Sequence, residues 1–558
     1  VRLFKSLFVV SWISIAVAAE PANPPQAAIA SAHPLATRAG FAILQQGGNA
    51  FDAAVAVSAA LAVVEPSGSG LGGGGFWLLH RASDSRQVML DGRERAPFAA
   101  RRDMYLDAAG HADPKASING PLAAGIPGMP AAIVHLAERY GRLALKQSLA
   151  PAIGYARYGF PVDEGYLQLI GFRLPIIQKY KSSADIFLRD GELPQLRFKL
   201  VQKDLADTLE HIAESGRDGF YLGIVAKRLV EGSQAAGGIW TYKDLAEYRV
   251  VERKPINGVY KGIRVSSASP PSSGGVVLVE ALNVLSGFDL AKVGAIDRTH
   301  LVVEAMRRAY RDRSIYLGDP DFVQMPLKRL LSKKYAATLR EGIRLDRKGL
   351  HSSGHINRRE QTTQEGRNTT HFSVLDRDGN RVAATLSINF PFGSGFVPPG
   401  TGVLLNDEMD DFVSHPDAAN VYGLTGGDAN SIQPGKRMLS SMTPTFLEDD
   451  TRVAILGTPG GSRIISMVLL ATLDFADGND ANSWVRVPRI HHQYAPDVIQ
   501  YEQGGLTDDE IMGLSKKGHD LKDVGRRYGN MQAILWDKRN NTVIAASDPR
   551  KAGLALSR

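Results

Sequence analysis

A threonine pair, Thr369-Thr370, stands where a polar stretch gives way to an alternating one. From His351 to Asn368 the chain has almost no apolar side chains and reads as an exposed, mobile loop. Phe372–Leu375 and Val382–Leu386 then alternate as strands, with Asp376-Arg377-Asp378-Gly379-Asn380 between them. Asp-Gly in such a loop signals a hairpin. With the turn centred on Asp378, positions 369 and 387 face each other, nine residues to either side. Residue 387 is a serine, and Asn389 follows on the same face. Facing Cβ atoms in such a ladder lie about 4.5–5.5 Å apart, and a slip of one residue would exchange the faces. Strand propensity alone also accounts for threonines there. The chemical reading is sharper. A threonine hydroxyl is a poor nucleophile until a base accepts its proton. Cleavage before Thr369 frees an α-amino group of ordinary pKa about 7.7–8.0, which is such a base. The same hydroxyl can make the cut by attacking the Asn368 carbonyl in an N-to-O acyl shift.

The rest of the 558-residue sequence limits the alternatives. Without a cysteine there is no disulfide, thiolate metal site or thiol nucleophile. The net charge of +7 is diffuse. Its densest cluster, Arg307, Arg308, Arg311 and Arg313 beside Glu304 and Asp312, reads as a solvated helix face or internal ion pairs. No nucleic-acid-binding signature accompanies it. Arg2 and Lys5 precede an apolar run from Leu7 to Ala19, closing on small residues. That pattern predicts a secretory signal at 1–19, cleaved at Ala18 or Ala19, and export to the periplasm or beyond. Residues 35–65 read as two helices, the second buried and ended by Pro66, and 120–350 as helix-rich. Ser67–Gly75 lacks the Lys-Ser/Thr ending of a phosphate loop, so close backbone packing is the expected use of its glycines. Adjacent His491 and His492 in a strand would point to opposite faces, which argues against a shared metal. No metal or cofactor is expected.

Thr369-Thr370-His371-Phe372-Ser373-Val374 resembles the small-subunit start of γ-glutamyltranspeptidases, members of the N-terminal-nucleophile hydrolase superfamily. Asp91–Pro97, Leu404–Phe412, Lys436–Pro444 and Gly457–Ile465 are similar to that family's other segments, in family order. So are Pro270–Gly275, Tyr316–Pro320 and Pro488–Gln493. The resemblance implies a four-layer αββα sandwich built from two autocleaved chains, a large one of 20–368 and a small one of 369–558. It implies γ-glutamyl transfer from glutathione and related donors to water, amino acids or peptides, with no nucleic-acid partner and no membrane span after signal cleavage. By the same resemblance Arg93, Ser440 and Ser441 hold the substrate α-carboxylate. Glu408 and Asp411, with Asn389, hold its ammonium. Gly460 and Gly461 offer backbone N–H groups to the oxyanion, and Ser387 orients the Thr369 hydroxyl. Tyr422, in the Val413–Leu424 stretch, covers the pocket and favours a small amino-acid-bearing acyl group.

Two positions depart from the family pattern. Ser387 stands where threonine is common, and Gly92 where many members carry an aromatic residue, which is expected to loosen the carboxylate end of the pocket. The alternative on the same scaffold is a glutaryl or cephalosporin acylase, which needs no ammonium-binding pair. A binding homologue without chemistry would not need Thr369, Arg93 and the diglycine.

Overall fold

Alternation on either side of Asp378 produces the expected hairpin, Thr370–Leu375 against Arg381–Ser387, in the register set by that turn. Leu375 faces Arg381 and Thr370 faces Leu386, so the ladder carries on to 369 opposite 387. The turn is held by one carboxylate. Asp376 Oδ1 accepts from the N–H groups of Asp378 and Asn380, and Oδ2 from Asn380 Nδ2. Oδ2 also accepts from the N–H of Ala50 at 2.8 Å, at the start of the buried helix Ala50–Val64. That helix has its own capping box, Asn49 with Asp52, which satisfies N–H groups that have no partner within the helix.

The structure, a computed structural model, describes residues 23–107, 111, 113, 115–349, 369–413, 420–424 and 426–558. The hairpin lies in the middle of a seven-stranded sheet. Its order is Leu554–Ser557, Ala28–Ser31, Thr370–Leu375, Arg381–Ser387, Gly74–Arg81, Arg86–Gly92, Val251–Arg253. A six-stranded sheet packs against it, ordered Thr542–Ser547, Gln532–Asp537, Arg452–Gly457, Thr445–Glu448, Ile263–Ser267, Ile256–Tyr260. Phe76, Leu78, Met89 and Ala383 from the first sheet meet Phe446, Ile455, Ile534 and Trp536 from the second. The outer face of the first sheet is covered by helices including Ala50–Val64 and Met129–Tyr140, that of the second by Gly274–Leu285, Ala295–Tyr316 and Ile464–Ala476. This is the αββα sandwich. The stretch 120–350 is helix-rich as expected, and it also supplies Val251–Arg253, Ile256–Tyr260 and Ile263–Ser267. Those strands are only three to five residues long and none is a sustained apolar alternation, so their pattern is weak in the sequence.

The glycine run packs backbone against backbone. A Cβ on Gly73 would lie 2.1 Å from the carbonyl oxygen of Ser387, and one on Gly72 2.0 Å from that of Leu404. Only glycine allows chains this close. The run thereby fixes the position of two segments that carry site residues.

Candidate active site

Thr369 directly precedes its strand, with φ +79° and 7% exposure. Its Oγ1 lies 3.0 Å from Ser387 Oγ. Ser387 Oγ also accepts from the N–H of Asn389 at 2.8 Å, which fixes its place. Asn389 donates from Nδ2 to the carbonyl of Asp407, and its own carbonyl accepts from Tyr422 Oη at 2.9 Å.

The acidic segment forms a short 3-10 turn, Glu408–Asp411. Asn406 anchors it. Its Oδ1 accepts from the N–H groups of Glu408 and Gly125, while Nδ2 donates to the carbonyls of Gly72 and Gly125. Arg93 leaves the end of strand Arg86–Gly92 and is fully buried. Its Nη1 reaches Glu408 Oε2 and its Nη2 reaches Asp411 Oδ2, each at 2.5 Å, and Nε donates to the carbonyl of Met438. Glu94 lies 3.6 Å from the same guanidinium and is equally buried, so Arg93 is an internal hub and not a surface partner of Glu94.

Ser440 and Ser441 line the same cavity. Ser440 Oγ accepts from the N–H of Met442, and Ser441 Oγ from Arg313 Nη2. Gly460 and Gly461 have φ of +145° and +57°, both in the region that favours glycine. A Cβ on Gly461 would come within 2.6 Å of the Tyr422 ring.

The sequence-derived residues Arg93, Thr369, Ser387, Asn389, Glu408, Asp411, Tyr422, Ser440, Ser441 and Gly461 thus surround one cavity. Gly460 adjoins it through Gly461, and Asn368 lies outside the described residues. The cavity measures about 20 Å³, room for about one water. Burial pushes the Glu408 carboxyl above its ordinary value, and Arg93 pulls it back. Burial pushes Glu94 and Asp407 well above theirs. Burial also works against charge on Arg93, but Glu408 and Asp411 outweigh it and raise its pKa.

A family model described as Gamma-glutamyltranspeptidase matches residues 36–557. The chain belongs to the γ-glutamyltranspeptidase family. It is an enzyme of that family. The glutathione hydrolase proenzyme of Escherichia coli is 41% identical over 535 residues, covering 95% of this chain and 91% of that one. The glutathione hydrolase proenzyme of a Pseudomonas species is 42% identical over 551 residues, covering 96% and 95%. Among solved structures, a cephalosporin acylase from Bacillus halodurans superposes with a TM-score of 0.83 at 28% identity, covering 99% of both chains.

Against the γ-glutamyltranspeptidase pattern, Gly92 does not loosen this pocket. A Cβ there would lie 2.8 Å from the Trp77 ring and 3.0 Å from Ala132. Trp77 fills the space and is pinned by its Nε1 donating to Ser58 Oγ. Of the two readings of the arginine cluster, internal ion pairs hold. Arg307 and Arg308 are buried on Glu304, and Arg307 also reaches Asp497. Asn406 and Arg313 were not singled out from the sequence as site residues. Asn406 had a signal, an amide between the apolar Leu404-Leu405 and the acidic segment. Arg313 had none, since nothing local separates it from its neighbours.

His491 and His492 take separate partners, Ser466 and Gln493 for the first, Asp497 for the second. Among the described residues His300, Glu304 and His519 bring three ligand-capable atoms within 4.8 Å of one another. Glu304 is already neutralised by Arg307 and Arg308, and His300 Nδ1 meets His519 Nε2 at 2.8 Å.

Proposed function

We propose that this enzyme cleaves γ-glutamyl amides, glutathione among them, through a γ-glutamyl ester on Thr369. The observation that carries this reading is the charge layout around the nucleophile. One guanidinium, Arg93, faces two carboxylates, Glu408 and Asp411. In the ligand-free protein Arg93 pairs with both carboxylates, which leaves one negative charge in excess for a cation to meet. A γ-glutamyl group brings an α-carboxylate and an α-ammonium, and so can exchange with the internal pairs charge for charge. Its carboxylate takes Arg93, Ser440 and Ser441, and its ammonium takes Glu408 and Asp411 with Asn389. A glutaryl group would take Arg93 and leave the carboxylates without a cation. Stranding a buried charge costs about 3–5 kcal/mol. This favours the transpeptidase reading over the acylase one, despite the acylase likeness of the whole fold. For the substrate carboxylate to take Arg93, the guanidinium must exchange its present carboxylate partners.

The chemistry begins with processing. The Thr369 hydroxyl attacks the Asn368 carbonyl, the bond to Thr369 N breaks, and water hydrolyses the resulting ester. The freed amine then serves as base. In turnover it takes the hydroxyl proton as Oγ1 attacks the γ-carbonyl carbon. Gly460 and Gly461 donate N–H groups to the oxyanion, a contribution of roughly 3–4 kcal/mol in comparable sites. The departing amine receives the proton, and water or an amino-acid amine releases the acyl group. The large chain would end at Asn368 and the small chain begin at Thr369. Both sheets mix strands from either side of that bond, which supports their remaining together. Export is inferred from the apolar segment at 1–19, which lies outside the described residues. No described helix is long and apolar enough to cross a membrane.

The test is chromophore release from a γ-glutamyl anilide and a glutaryl anilide, on protein shown by mass spectrometry to be cut before Thr369. The expected preference for the γ-glutamyl compound is about 100-fold or more in kcat/KM, matching one stranded charge. Preference for the glutaryl compound would move the protein to the acylases, and release from neither would remove the proposed reaction.

A further inference from the structure

Arg313 lies near the end of helix Ala295–Tyr316 and is 5% exposed. Its neighbours in the arginine cluster have carboxylate partners: Arg307 and Arg308 on Glu304, Arg311 on Asp312. Among the described residues no carboxylate comes within the 4.0 Å of an ion pair with Arg313. Instead its Nε donates to Ser273 Oγ at 2.9 Å and its Nη2 to Ser441 Oγ at 3.2 Å. Burial lowers its pKa, but a guanidinium remains charged. A buried cation with only hydroxyl partners is costly unless something supplies the opposite charge.

The hydroxyls show where that charge belongs. Arginine has donors only, so Ser441 Oγ must accept from Arg313 and has its single proton left for another partner. Ser440 Oγ is similarly occupied as an acceptor, by the N–H of Met442. Both protons are available to the cavity that Ser440 and Ser441 share with Arg93. Ser273 braces the same segment, with both its Oγ and its N–H donating to the carbonyl of Ser440 at 2.7 and 2.8 Å. Arg313 thereby ties the helix layer to the serine pair.

We propose that Arg313 is a positioning residue for the substrate carboxylate, acting through Ser441: it holds that hydroxyl as a donor and supplies a second positive pole behind it. The proposal rests on the functional reading above. In the free protein Arg93 is engaged by Glu408 and Asp411, whereas Arg313 feels Asp411 only at longer range and makes its direct contacts with hydroxyls, so its charge is available to a carboxylate seated on Ser441.

The test compares the parent, Arg313→Gln, Arg313→Lys, Ser441→Ala and the Arg313→Gln/Ser441→Ala double variant, all as processed protein. Arg313→Gln is expected to raise KM for the γ-glutamyl anilide roughly 10-fold, as for loss of one charged hydrogen bond, with kcat changed less than about threefold. The double variant should be no worse than the poorer single one, because both act on one interaction. Arg313→Lys, which keeps the charge without the fork, should fall between. An unchanged KM, additive losses, or a fall of kcat alone would overturn the proposal. Should Arg313→Gln fail to mature, Arg313→Lys decides, and a KM equal to the parent's overturns it. The glutaryl anilide separates this proposal from the reading it rests on. It too presents the carboxylate, so its KM must rise in Arg313→Gln whichever anilide the parent prefers.

Discussion

Thr369 holds a backbone conformation that a β-branched residue adopts only at a cost. Its φ is +79°, and such outliers cost of order 1–3 kcal/mol and persist where the surroundings impose them. Here Thr369 is held between Ser387, 3.0 Å from its Oγ1, and Gly68, where a Cβ would lie 3.4 Å from its carbonyl oxygen. Strain at the residue proposed to begin the small chain favours breaking the bond before it, since cleavage frees φ. Thr369→Ala retains the packing and removes the hydroxyl. It should give a single chain on a denaturing gel with its thermal transition nearly unchanged, and two chains would exclude Thr369 as the processing nucleophile. Arg93 illustrates a different constraint at this scale. In its proposed role it must stay charged in a buried site while no anion is bound, and its pairs with Glu408 and Asp411 keep it so.

The elements hold these residues by backbone contact more than by side chains. Gly73 packs on the carbonyl of Ser387, the last residue of its strand. Asp376 binds the hairpin turn and the start of helix Ala50–Val64 with one carboxylate. Gly73→Ala would push a methyl to within 2.1 Å of that carbonyl oxygen. Overpacking of this kind costs about 1–3 kcal/mol, so the melting temperature should drop by about 1–3 °C in a chain of this length. Activity per folded, processed molecule should drop as well, because Ser387 is displaced from Thr369. A variant with unchanged stability and activity would show that the close approach is dispensable. At Gly92 the reasoning inverts: Trp77 occupies the space, and the glycine is what admits it.

Across the whole molecule, both sheets interleave strands from the two sides of the proposed cleavage point. The core also encloses histidines that burial keeps neutral. His371 and His491 are each pushed down to about 3, the second with a further contribution from Arg463. Unfolded, they take up protons below about pH 6.5. The native state binds fewer protons than the unfolded one in this window, so stability is lost as pH falls from about 6.5 towards 3. Glu65, raised by burial to about 7, acts in the opposite direction: its contribution is lost as pH rises. The melting temperature of a His491→Gln variant should therefore depend less steeply on pH between 6 and 4 than the parent's. Equal slopes would mean that His491 titrates alike in both states.

What the sequence determined by itself was local in origin. One Asp-Gly turn sets the hairpin register, because antiparallel pairs sum to a constant, and so brings Ser387 to Thr369 before any tertiary contact is considered. The family-ordered segments named the residues that meet at the cavity. Tertiary structure decided which charges are compensated. Arg307, Arg308 and Arg313 lie within seven residues of one helix. The first reaches Asp497, nearly two hundred positions away, while the last faces a serine. It also decided that Trp77 fills the space beside Gly92, and that 251–267 forms strands whose apolar faces exist only against a neighbouring sheet or helix. A residue's type and spacing fix the chemistry open to it, but its partner is fixed by packing between segments remote in the chain.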